Sequence, residues 1–321
     1  MFHFPRQNTF TSILILFCLF LFSCKSTERP SCVYDPVNSN VRNFTSLKHN
    51  KVTGLNIHDG MFKGLLEYLP KGYNANDTTE LYPVIIYFHG VEARGQGTEQ
   101  DLCKILWDGI TGTGSSLPPL IEMGGMPEKV NFGNKDYEFL VISPQFTMYE
   151  FPVKFPSIDE VDAVVDYILS NYRVDPKRIY LTGMSTGANM VIEYAGSKLS
   201  KGKIAAVSTA SLCDSVGIPS NVNRDINPEN IASNGHGVWF LQCLEDDRCS
   251  PDISKAWHER IQKAGGRSRI TLLDNNAEDP MFHCARFEHN TWFRMYDPEF
   301  KVDGMNLYEW FLSCSANQAA N

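Results

Sequence analysis

From Lys51 onward the chain alternates between two kinds of apolar pattern. The runs "FKGLLEYLP", "YPVIIYFHG" and "YEFLVISPQ" are short, rich in branched and aromatic residues, and bounded by turn formers, which predicts strands. The period then changes in "FPSIDEVDAVVDYILSNY", where Ile158, Val161, Val164, Val165, Ile168 and Leu169 fall on one helical face. Ser157 and Glu160 have capping-box spacing at its start. After the turn "VDPK" comes a strand, "RIYLTG", and then a helix from Gly187 to about Ser197. Further buried-type strands are predicted at "KIAAVSTASL", "GVWFLQCL" and "SRITLLDN", with helices at "SPDISKAWHERIQKAGG" and "NLYEWFLSC". Strands that are apolar throughout and separated by amphipathic helices predict an α/β domain: a mainly parallel sheet with helices on both faces. In such sheets ligands bind beyond the carboxyl ends of the strands, so candidate functional residues are sought there.

Upstream of this domain the pattern differs. Arg6 precedes an almost wholly apolar run, Phe10 to Phe22, which "LFSC" closes with Ser23 and Cys24. Thirteen residues at about 1.5 Å each fall short of a hydrocarbon core of about 30 Å, so the run predicts a signal peptide over residues 1–23 rather than a membrane span. "LFSC" resembles a bacterial lipobox, which implies lipidation of Cys24, anchoring at the cell envelope, and no other membrane contact. Residues 24–50 are polar without a period and are expected to form a flexible tether. The catalytic domain is then expected over 51–315, with a disordered tail over 316–321.

Composition narrows the choice of partner. The 321 residues are 43% apolar, enough for one large core, and the net charge of −8 with scattered Lys and Arg excludes a nucleic-acid footprint. Of the nine cysteines, Cys18 and Cys24 belong to the leader. Cys32, Cys103, Cys213, Cys243, Cys249, Cys284 and Cys314 remain, an odd number that leaves one unpaired. Cys249 with Cys284 is the first pairing expected, because each lies near a candidate catalytic residue. Cys243, Cys249, His283 and Cys284 lack the paired spacing of a zinc site, so no metal is expected.

The stretch "RIYLTGMSTGANM" carries the strongest chemistry. A serine becomes a nucleophile when a base takes its proton and when it stands clear of the backbone. A sharp strand-to-helix turn meets the second requirement, and Gly183 and Gly187 supply the positions where that turn leaves no room for a side chain. Ser185 is therefore the candidate nucleophile. The loop after "VIIYFHG" can present the Val91 amide beside that of Thr186 as an oxyanion hole, while His89 orients that loop. The acid is expected after "VWFLQCL", in "EDDRC", where loop register favours Asp247 over Asp246. The base lies in "FHCARFEHNTWFRMYDP", with His283 and His289 both open on spacing, and Trp292 beside the latter can shield it and line a pocket. Gly90 and Trp292 are the positions expected to touch substrate.

With these residues in place, the chain resembles the α/β-hydrolase superfamily, and within it the polyhydroxybutyrate depolymerase-like, esterase D-like and feruloyl-esterase-like group, which includes predicted peptidases. The likeness rests on "YPVIIYFHGVEARGQG", "FLVISPQ", "VDPKRIYLTGMSTGANM", "HNTWFRMYDP" and "LYEWFL", in the same order over about residues 60 to 312. It implies the α/β-hydrolase fold, Ser185 as nucleophile, His289 as base, and Val91 and Thr186 as oxyanion donors. "CLEDDRCSP" departs from the group's acid loop, although Asp247 aligns with its acid.

The expected activity is hydrolysis of a carboxylic ester, without a cofactor, by an exported serine hydrolase. An acylated polysaccharide is one substrate class that suits a tethered enzyme. A serine peptidase of the same fold and an inactive glycan-binding surface protein are the competing expectations.

Overall fold

The strand-like runs pair into one sheet, in a computed structural model that describes residues 31–33, 43–77, 79–108, 115–147, 155–213 and 227–316. The signal peptide, Cys24 and residues 317–321 lie outside the described residues. In chain order the strands are β1 (Asn50–Ile57), β2 (Phe62–Tyr68), β3 (Tyr82–Phe88), β4 (Val130–Phe132), β5 (Lys135–Tyr137), β6 (Leu140–Phe146), β7 (Val174–Met184), β8 (Ala206–Ala210), β9 (Gly237–Cys243) and β10 (Arg267–Leu273). The helices are α1 (Cys103–Trp107), α2 (Leu117–Glu122), α3 (Ile158–Asn171), α4 (Thr186–Ala195), α5 (Pro228–Asn234), α6 (Pro251–Lys263), α7 (Trp292–Met295) and α8 (Leu307–Leu312).

The main sheet has the order β1-β2-β6-β3-β7-β8-β9-β10, and β4 with β5 makes a separate hairpin. Every pairing from β6 to β10 is parallel, whereas β1 and β2 form an antiparallel edge. β3, β6, β8 and β9 are buried at every residue, as strands covered on both faces must be. Period-2 alternation divides each strand between two cores. Val84, Ile86 and Phe88 pack with α3, α4 and Ile261 of α6, while Ile85 and Tyr87 face Leu106, Leu117 and α8. The capping box is formed, with the Ser157 amide donating to Glu160 Oε2 at 2.5 Å.

Three departures from the sequence reading concern the periphery. β1 was not anticipated, because as an edge strand it is exposed or half-exposed up to its last residue, and buried-face alternation has nothing to act on. The tether expected to run to residue 50 ends earlier. Leu47 and His49 are buried, the His49 ring donates to Glu122 at 2.6 Å, and Cys32 bridges Phe44 and is disulfide-bonded to Cys103. The pairing of Cys249 with Cys284 is replaced by Cys213–Cys249 and Cys243–Cys284. Both are contacts between strand-end loops that spacing along the chain does not encode. Cys314 is the unpaired one and is buried.

His236 sits just ahead of β9 and is 2% exposed, with Ser200 Oγ 3.0 Å from its Nε2. Burial pushes its pKa down to about 4, against a raising contribution from the Ile204 carbonyl. A histidine whose folded pKa lies below its unfolded value of about 6.5 adds stability that is fully present above the unfolded pKa and lost as pH falls toward the folded one. The unfolding midpoint in urea is therefore expected to fall between about pH 6.5 and 4, and to fall less steeply in His236→Gln. Parallel slopes for the two proteins in denaturation curves across that window would contradict this.

Candidate active site

The position of Ser185, the candidate nucleophile, is set by backbone crowding. β7 ends at Met184 and α4 begins at Thr186, so Ser185 alone makes the turn, at φ 50° and ψ −119°. Such a conformation costs a residue with a side chain about 1–3 kcal/mol and persists only where its surroundings enforce it. Here they do. A Cβ on Gly183 would overlap the Gly187 carbonyl group, and one on Gly187 would overlap the Phe88 carbonyl oxygen and lie 2.7 Å from that of His89. Gly187 thus allows the start of α4 to press against the end of β3, and Gly183 allows it to fold back over the end of β7. The Ser185 amide also donates to the Ala210 carbonyl at 2.9 Å, which ties the turn to the end of β8.

His289 stands over this turn, with Nε2 3.0 Å from Ser185 Oγ. Its Nδ1 faces Asp246, 2.9 Å from Oδ2 and 3.2 Å from Oδ1. With Nδ1–H donating to the carboxylate, Nε2 is left to accept the serine proton, which is the tautomer a general base requires. His289 is 7% and Asp246 6% exposed, so little water competes for either. Trp292 packs edge-on against the His289 ring, 5.6 Å between centroids, and is itself buried. It shields the base and presents little surface to a ligand.

The carboxylate that faces His289 is therefore Asp246 and not the expected Asp247, whose side chain is exposed. The reason is the turn that follows β9. The Asp246 amide donates back to the Cys243 carbonyl, and its Oδ1 accepts the amides of Arg248 and Cys249 at 3.0 Å each. Gln242 Nε2 adds a bond to Oδ2 at 2.8 Å and donates to the Cys249 carbonyl at 3.0 Å. These donors fold the loop around Asp246 and turn its neighbour outward.

His283 does not reach the site; its Nε2 donates to the Ala277 carbonyl at 2.9 Å. Two residues that the sequence reading missed hold the base instead. Ser211 Oγ donates to the His289 carbonyl and lies 2.7 Å from Thr291 Oγ1, which donates to the Leu241 carbonyl at 3.1 Å. Polar residues at the ends of "STAS" and "HNT", next to buried strands, were the available signal.

The oxyanion loop is also braced. Val91 opens a short 3-10 turn directly after Gly90, and Thr186 is the first residue of α4, whose leading amides have no partner within the helix. The Gly90 amide donates to the buried Asp108 carboxylate at 2.9 Å, so it supports the loop rather than a substrate. His89 orients this segment. Its ring stacks on Phe146 at 4.0 Å, with Nδ1 2.6 Å from the Gly90 carbonyl and Nε2 accepting the Phe146 amide. Complete burial pushes its pKa down to about 3, so it stays neutral as those bonds require. Gln145 completes the brace, donating to the Ala93 and Asp101 carbonyls at 2.7 Å and accepting the Gly97 amide at 3.1 Å.

No protein-family model matches the chain. Over 102 residues it is 28% identical to a protein of Acanthamoeba polyphaga mimivirus named as an alpha/beta hydrolase, a match covering 32% of this chain and 38% of the viral protein. Among solved structures, Thermogutta terrifontis esterase 2 phosphorylated by paraoxon has a TM-score of 0.50 at 11% identity, covering 83% of this chain and 91% of that one. A thermostable esterase is similar at a TM-score of 0.49 and 18% identity, covering 78% of this chain and 59% of that one. At such identities the likeness is one of architecture, and together with the sheet order it gives the chain the α/β-hydrolase fold.

Two outcomes are expected from substitution. Asp246→Asn lowers kcat for an activated ester about 10⁴-fold, whereas Asp247→Asn changes it less than about twofold, read from steady-state rates of the purified proteins. Gly187→Ala costs about 3 kcal/mol of stability in urea denaturation, because the added methyl meets backbone rather than a side chain that can move.

Proposed function

We propose that this chain is a serine hydrolase that cleaves carboxylic esters through an acyl-enzyme. The observation that carries this reading is the unbroken line from Ser185 Oγ through His289 to Asp246 at the carboxyl end of the parallel strands. As Ser185 attacks the carbonyl carbon, His289 Nε2 takes its proton, and Asp246 stabilises the imidazolium through Nδ1. The backbone amides of Val91 and Thr186 are assigned to the developing oxyanion. His289 then returns the proton to the leaving alcohol, and the same nitrogen activates a water that releases the acid from Ser185.

We assign the enzyme to the cell envelope, exported through residues 1–23 and anchored by lipid at Cys24, with an acylated polysaccharide as substrate class. The leader pattern supports export, and so do the three disulfides, which form and persist in oxidising compartments. Among the described residues no helix is long and apolar enough to cross a membrane.

A fluorophosphonate probe is expected to label one serine, mapped to Ser185 by peptide mass spectrometry. Ser185→Ala is expected to abolish labelling and to lower turnover of p-nitrophenyl acyl esters by roughly 10⁵-fold or more. Labelling elsewhere would refute the assignment. Rapid cleavage of aminoacyl anilides with negligible ester turnover would replace the esterase with a peptidase of the same fold.

A further inference from the structure

The Cys213–Cys249 disulfide lies inside the catalytic cluster. Cys213 follows β8 and is held by its amide, which donates to Asn189 Oδ1 of α4 at 3.1 Å. Its sulfur is 3.9 Å from Ser185 Oγ. Cys249 closes the acid loop, with its amide on Asp246 and its carbonyl on Gln242. Both sulfurs and a ring nitrogen of His289 lie within 4.8 Å of one another. While the disulfide is intact these sulfurs have no lone charge to offer a cation. Opened, they become two thiols facing an imidazole, each able to give up its proton to a cation.

We propose that reduction of Cys213–Cys249 turns this cluster into a binding site for one zinc-like divalent cation, held by Cys213 Sγ, Cys249 Sγ and His289 Nε2. A dithiol supplies the two electrons and two protons, becoming a cyclic disulfide as Cys213 and Cys249 become thiols. Binding of the cation then releases one proton from each thiol. The ligand chemistry suits zinc, which takes mixed thiolate and imidazole sets at about 2.3 Å to sulfur and about 2.0–2.1 Å to nitrogen. Those lengths place tetrahedral ligands within about 4 Å of one another, and the three atoms already lie within 4.8 Å.

The surroundings fit as well. Nδ1 of His289 is occupied by Asp246, which leaves Nε2 to ligate and supplies the carboxylate–histidine arrangement that orients metal-bound imidazoles. Three protein ligands leave a fourth position open toward Ser185, 3.0 Å from the same nitrogen. The cation would therefore sit on the proton-transfer path, and metal binding and ester hydrolysis would exclude each other. The exclusion rests on the hydrolase reading, but the binding does not. The second cysteine cluster, Cys243, Glu245 and Cys284, lacks an imidazole and is not assigned.

The test is a Co²⁺ titration of the full chain, oxidised and after reduction with a dithiol that is then removed under argon. Reduced protein is expected to bind one Co²⁺ with a thiolate-to-cobalt charge-transfer band, and oxidised protein to show no such band. The band is expected to vanish in Cys213→Ala/Cys249→Ala, to persist in Cys243→Ala/Cys284→Ala, and to need at least tenfold more Co²⁺ in His289→Ala. Zn²⁺ is expected to silence the reduced enzyme, with recovery on adding a chelator. Three results would overturn the proposal: no band on reduction, a band independent of Cys213 and Cys249, or loss of the fold on reduction as read by circular dichroism. The spectroscopic readout needs no turnover, so an inactive protein that still gives the band refutes the hydrolase reading alone.

Discussion

The start of α4 touching the carbonyl ends of β3 is the contact on which the rest of the site depends. Only where Gly187 lies against Phe88 and His89 can the turn at Ser185 be sharp enough to lift its hydroxyl off the sheet. The same approach brings the first amides of α4 beside the loop that begins at Gly90. Ser185 and the candidate oxyanion donors are thus placed by one packing event, and its cost, a serine at positive φ, is offset by the fully buried strands on either side. Those strands cannot shift without breaking two cores at once.

Asp246 and His289 are placed differently, by loops, and loops need bracing to hold side chains to fractions of an ångström. Here the bracing is polar and internal. Gln242 reaches both Asp246 and the Cys249 carbonyl, and Ser254 donates to its Oε1 at 3.2 Å. Ser211 and Thr291 fix the His289 backbone against β9. Each partner is buried, where a lost bond leaves an unpaired group costing about 1–3 kcal/mol, so the network tends to keep all its members or none.

The fold was legible because burial on both faces writes itself into composition: strands such as "VIIYF" and "VWFLQ" have no polar side to expose. The sharp turn at Ser185 was legible because steric crowding leaves glycine as the residue at both flanks. Choosing His289 over His283 needed the resemblance, since both follow the last strand and only the fold turns His283 toward Ala277. Asp246 was missed for a physical reason. Adjacent carboxylates differ by about 3.5 Å along the chain, and which one points inward is decided by donors from Gln242, Arg248 and Cys249 that no local pattern announces. The disulfides were hidden in the same way, because each joins segments that meet only after the sheet has formed.

Those disulfides also explain how three strand-end loops come to act together. Cys243–Cys284 ties the end of β9 to the segment leading into His289, across 41 residues, and Cys213–Cys249 ties the end of β8 to the acid loop, across 36. In a chain-entropy picture, closing loops of these lengths restricts the unfolded chain by about 4 kcal/mol each. The larger consequence is local. Asp246 lies between Cys243 and Cys249, so its loop is held from both sides by bonds reaching to the segment before His289 and to the end of β8. Hydrogen bonds then need only set the final orientation of a loop whose path is already covalently fixed.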